Sequence, residues 1–92
     1  MTIRAREDVL PAVRACGLPD DVAVGIERYI FDRIEAGGFL TAVFEDSLTG
    51  AFAKADLGNR ALMFEWAGFV YNHMGTGITG TRAIVKRHLE GK

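Results

Sequence analysis

The glycine-rich run Gly75-Thr76-Gly77-Ile78-Thr79-Gly80 comes nearest to a chemical motif in this chain. It matches G-x-G-x-x-G, the pattern whose backbone N–H groups cradle a pyrophosphate at the start of a helix. That pattern works after a β-strand, and the residues before it here read as helix, so a dinucleotide fold is not expected. A simpler use remains, because a glycine turn at a helix N-terminus offers N–H groups to a phosphate. Thr79, Thr81 and Arg82 would add hydroxyl and guanidinium donors. The plain alternative is an interhelical turn. The helix that follows carries Arg82, Lys86 and Arg87, with Lys92 beyond, against one acid, Glu90, a local +3. Such a helix could enter a DNA groove. It could equally be a solvated face whose cations complement the negative end of the helix dipole.

The other reactive side chains do not converge. His73, His88 and Cys16 have no ligand-type spacing, and a metal site needs three or four ligands together. A single cysteine allows no intrachain disulfide and fits a reducing compartment; near a helix end it reads as a small apolar side chain. Asp20, Asp21, Asp32, Glu35, Glu45, Asp46, Asp56 and Glu65 read as helix caps and solvated faces, since paired catalytic carboxylates need a shared cleft. No Ser-His-Asp or Cys-His arrangement is legible. The expectation is a protein that binds rather than catalyses, with no cofactor and no metal.

Composition narrows the class further. The 92 residues suit one domain. A hydrophobic share of 49% argues against disorder. Six Phe, two Tyr and one Trp are many for so short a chain, which points to a self-association patch. The formal net charge of −1 counts against nucleic acid as the main partner. The N-terminal residues lack the apolar core of a signal peptide, and no apolar run is long enough to span a membrane. A cytoplasmic location is expected.

Glycine-bounded helices must position these residues. Asp8 to Cys16 reads as a first helix, with Pro11 in its first turn and Gly17 and Pro19 ending it. Val22, Ile26, Ile30 and Ile34 recur every four residues beside Tyr29, drawing one apolar stripe on a second helix. Gly37 and Gly38 stop it. Phe39 to Phe44 reads as a short helix, because a lone strand would have no partner. Asp46 or Ser47 would cap the next, with Leu48, Ala51, Phe52 and Ala55 on a buried face. Asp56 would cap a fifth helix from Leu57 to about His73. In it Trp66 and Phe69 share one face, while Phe64 and Tyr71, seven apart, share another. Either both faces are intramolecular core, or one packs inward and the other meets a partner. Thr81 would cap a last helix to about Glu90 carrying Ile84, Val85 and Leu89. The fold class expected is all-α, a compact orthogonal bundle of five or six short helices.

Between Gly25 and Asn72 lie Ile26-Glu27-Arg28-Tyr29, Gly37-Gly38-Phe39-Leu40-Thr41-Ala42-Val43, Asp46, Leu48, Ala51, Ala55-Asp56, Asn59 and Tyr71-Asn72. This half of the chain resembles a widespread group of small helical proteins of bacteriophages and prophages. That group often continues after Tyr-Asn with a proline-containing loop and a Cys-Trp-Gly-Ser element, where this chain has Met74 to Gly80. It also favours Asn-Asp where this chain has Glu45-Asp46-Ser47. The resemblance implies a phage accessory protein in the host cytoplasm that binds a host or phage protein stoichiometrically, with counter-defence as its role. It is expected to be a homo-oligomer. Its contact surface would use Tyr29, Phe64, Tyr71 and the Gly75–Arg82 loop. The alternative is a sponge for a nucleotide signal, built from Thr79, Thr81 and Arg82 with Lys86 or Arg28. A DNA-binding regulator using the last helix is a further alternative.

Overall fold

The computed structural model describes residues 2–74 and 77–91. Among them are seven short α-helices, two single 3-10 turns and no strand. The helices are α1 (Val9–Ala15), α2 (Ala23–Asp32), α3 (Gly38–Phe44), α4 (Leu48–Lys54), α5 (Leu57–Ala61), α6 (Met63–His73) and α7 (Arg82–Glu90). The fold is the all-α bundle expected, with more helices than five or six because residues 57–73 do not run as one. Leu62, at φ −109° and ψ 17°, breaks that span into α5 and α6.

Local chemistry explains most helix ends. After α1, Gly17 takes φ 78°. Its N–H donates to the Arg14 carbonyl and the Leu18 N–H to the Val13 carbonyl. This is the glycine-ended stop that satisfies the last carbonyls of a helix, and Leu18 and Val13 are both buried beside it. The end of α3 repeats the pattern with Asp46 (φ 60°) in the glycine position: Asp46 N donates to Val43 O and Ser47 N to Ala42 O. The turn reverses the chain and lays α4 against α3. Asp56 caps α5 by accepting from the Asn59 N–H at 2.8 Å, and Thr81 caps α7 by accepting from the Ile84 N–H at 3.1 Å. Ser47 occupies the position before α4 without a side-chain cap bond.

The core is aromatic. Trp66, Tyr29, Phe44, Phe69 and Ile26 are its largest fully buried side chains. Tyr29 stacks at 4.5 Å from Phe44 and 4.7 Å from His88, while Trp66 meets Phe39 and Phe69 edge-on at 5.7 and 6.0 Å. Two polar connections tie distant segments to this core. The Ile3 N–H donates to the His73 carbonyl at the end of α6 (2.7 Å), and the Gly80 N–H donates to the Phe44 carbonyl at the end of α3 (2.7 Å).

Three expectations need correction. Tyr29 is not a surface residue: it is only 1% exposed, because the α2 stripe turns it into the centre of the bundle. Ile34 lies beyond the end of α2 and is exposed, since Arg33 adopts φ 54° and stops the helix two residues short of it. Of the four residues assigned to a buried face, only Ala51 on α4 and Ala55 just past its end are buried; Leu48 and Phe52 face solvent. Small side chains let α4 lie close on α3, which leaves its larger ones outside.

Candidate functional site

The sequence-derived candidates separate into three places. The first is a polar knot inside the bundle. The Tyr29 hydroxyl donates to the carbonyl of Ile78, fastening the loop before α7 to α2. His88, also buried, donates from Nε2 to the Tyr29 carbonyl at 2.6 Å. A carbonyl only accepts, so the hydrogen sits on Nε2 and leaves Nδ1 facing Arg33 Nη1 at 3.4 Å. The same Arg33 nitrogen donates to the His88 carbonyl at 2.9 Å. Burial, and secondarily the charge of Glu45, pushes the Tyr29 pKa up to about 12. The knot joins α2 to α7, and its groups are committed to one another.

The second place is the loop and the basic helix. Gly75, Thr76 and Lys92 lie outside the described residues. Thr79 is buried, the Thr81 hydroxyl oxygen accepts the α7 cap bond, and the Gly80 N–H is engaged by Phe44. The Gly80 N–H is therefore turned to structure rather than outward to an anion, and the Thr81 oxygen serves as a helix cap. Arg28, Arg82, Lys86 and Arg87 are exposed. Cys16 is half-buried, and burial raises its pKa, which disfavours a reactive thiolate. No group of three or more metal-ligating side chains occurs among the described residues. Among them no helix is long and apolar enough to cross a membrane.

The third place is a face of α6. Trp66 and Phe69 point into the core, while Phe64 and Tyr71 stand 86% and 88% exposed. Seven residues is about two helical turns, so the two rings project from one side of α6 roughly 10 Å apart along its axis. Between them lie only Ala67 and Gly68 on that side. Beside this face opens a cleft of about 690 Å³ between α6 and the α3–α4 pair. Its lining is mainly apolar: Val43, Phe44 and Ala51 on one wall, Met63, Trp66 and Val70 on the other. Leu48, 67% exposed, stands at its rim, and Asp46 is the one charged residue among those lining it. Every buried side-chain polar atom among the described residues has a hydrogen-bond partner. The cleft thus offers apolar surface and shape rather than waiting donors.

The cleft brings Phe64 and Tyr71 together with Thr79, while Tyr29, Arg28 and the α7 cations are not among the residues that line it. Leu48 was expected on a buried face, and Ala67 and Gly68 were not singled out from the sequence. Their signal was the spacing Phe64-x-x-Ala67-Gly68-x-x-Tyr71, two large residues placed symmetrically about two small ones.

No protein-family model matches the chain, and neither the curated proteins nor the solved structures yield a match.

Proposed function

We propose that this chain acts without catalysis, as a stoichiometric protein-binding module whose contact face is α6 with its adjoining cleft. The observation that carries the reading is the exposure of Phe64 and Tyr71 beside apolar walls. Leaving two such rings in water forgoes roughly 1.5–3 kcal/mol of burial each. Small monomers rarely expose apolar patches beyond a few hundred Å² unless something covers them. An amphipathic helix is the partner such a groove takes, its apolar face anchored at intervals of three, four and seven residues. The resemblance to phage accessory proteins supplies the biological role, a counter-defence inhibitor in the cytoplasm of an infected host. That role is an inference from the company the sequence keeps.

The nucleotide sponge has less support. Its cradle would need the backbone donors of the loop, and the Gly80 N–H is engaged by the Phe44 carbonyl. DNA binding would rest on α7 cations in a chain of net charge −1.

The test compares the native chain with Phe64→Glu/Tyr71→Glu, whose changes lie on exposed side chains. A protein recovered with the native chain from the infected host is purified and mixed with it. The expected result is a one-to-one complex that the double variant, folded by circular dichroism, fails to form. Equal binding by the variant removes α6 as the contact face. A rise in melting temperature with a cyclic nucleotide would favour the sponge instead.

A further inference from the structure

We infer that the helix occupying the α6 face is α6 of a second copy of this chain, crossing antiparallel about a two-fold axis at Ala67–Gly68. The inference rests on reading α6 as a contact face and names what covers that face in the free protein, so that a host protein bound there takes the place of the second copy. A two-fold interface must be self-complementary, residue i of one protomer meeting residue j of its partner and the reverse. The exposed side of α6 meets this condition in its spacing. Phe64 lies three residues before Ala67, and Tyr71 three residues after Gly68. An antiparallel pair centred between Ala67 and Gly68 therefore sets Phe64 of one protomer beside Tyr71 of its partner, twice. At the crossing the small residues face each other. With no large side chain between them, the helices approach to the near end of the usual range, about 8 Å, and the four rings close over the contact on both sides.

Charge and area agree. None of these four residues is charged, so the axis brings no like charges together at the crossing. Asp46 is the single charge lining the neighbouring cleft. A buried aromatic side chain covers ~150–250 Å². At 86% and 88% exposure, Phe64 and Tyr71 together present roughly 250–400 Å² per protomer. Leu48 and the cleft walls extend this toward the ~600–1,000 Å² per partner of a stable interface.

Gly68 makes the inference separable from folding. A Cβ added there would meet only the Asn72 amide nitrogen, at 4.0 Å. Leucine is also a better helix former than glycine. Gly68→Leu should therefore fit the single chain while blocking the close crossing. Size-exclusion chromatography with light scattering, from low to high micromolar concentration, reads the outcome. The native chain should show twice the 10.0 kDa chain mass. Gly68→Leu and Phe64→Glu/Tyr71→Glu should run as monomers with unchanged helical circular dichroism. Each aromatic change should weaken association by about 30-fold or more, the size of a hot-spot loss. Gly68→Cys in a Cys16→Ser background should crosslink to itself on mild oxidation, because residue 68 lies next to its own copy across the axis. A native chain that stays monomeric overturns the dimer and leaves the contact face to its own test. A dimer that survives both the glutamate pair and Gly68→Leu overturns the dimer geometry. Loss by the glutamate pair alone, with no crosslink at residue 68, overturns the axis.

Discussion

At the scale of single residues, the bundle depends on polar groups buried among aromatic ones. His88 holds the Tyr29 carbonyl, packs on the Tyr29 ring and receives Arg33. His88→Ala leaves that carbonyl unsatisfied and opens a void, so a loss of about 2–4 kcal/mol is expected, read as a lower urea midpoint. Tyr29→Phe keeps the ring and removes only the bond to the Ile78 carbonyl, which should cost about 1 kcal/mol. The phenol also sets an alkaline limit. Its pKa is raised from 10.0 to about 12 in the folded chain, so the fold favours the protonated hydroxyl. That contribution is complete below pH 10 and is lost as pH rises toward 12. Stability of the native chain should fall across this window, and Tyr29→Phe should flatten the slope in urea titrations at successive pH values. His88 was not legible as a core residue. Val85, His88 and Leu89 follow the 3-4 spacing of a core stripe, but a histidine in such a stripe does not announce its partners. Tyr29 misled for the opposite reason: an amphipathic ring fits either the surface or the core, and only the packing of α7 over α2 decides which.

At the scale of elements, helix stops and starts were readable where a glycine or a capping side chain makes them, and not at Arg33, which ends α2 in the left-handed conformation. Gly17, Asp56 and Thr81 end or begin helices as their residue types suggest. The break at Leu62 was not readable, because Leu57 to His73 carries neither proline nor an internal stop strong enough to divide it. Which side of α4 is buried was also hidden. Leu48 and Phe52 share helical spacing with Ala51 and Ala55, and the close fit of α4 on α3 selects the alanines. The α3–α4 turn yields a prediction. Asp46 sits at φ 60°, a conformation that a side chain disfavours and glycine takes freely. Asp46→Gly should raise stability by about 0.5–1 kcal/mol in thermal or urea unfolding. Asp56→Ala, by removing the α5 cap, should lower it by about 1 kcal/mol.

At the scale of the whole molecule, the number of aromatic residues suggested that some would be left outside, and the seven-residue spacing put Phe64 and Tyr71 on one face, but only the packing of α6 decides that this face is the exposed one. The cleft beside them could not be foreseen, since it exists only because α3, with α4 folded on it, packs against α6 from a distant part of the chain. If association stabilises the folded form, melting temperature must depend on protein concentration. Calorimetry at increasing concentration should show a rising transition for the native chain and a constant one for Gly68→Leu. A constant value for both would speak against the dimer.

The bond from the Ile3 amide to the His73 carbonyl bears on how the protein is handled at the bench. It anchors the start of the chain at the end of α6, one residue from Met74, which lines the cleft. A purification tag or fluorescent reporter joined ahead of Ile3 would emerge close to the surface being assayed and could shield it. Joined after α7 instead, the same label leaves from a different helix.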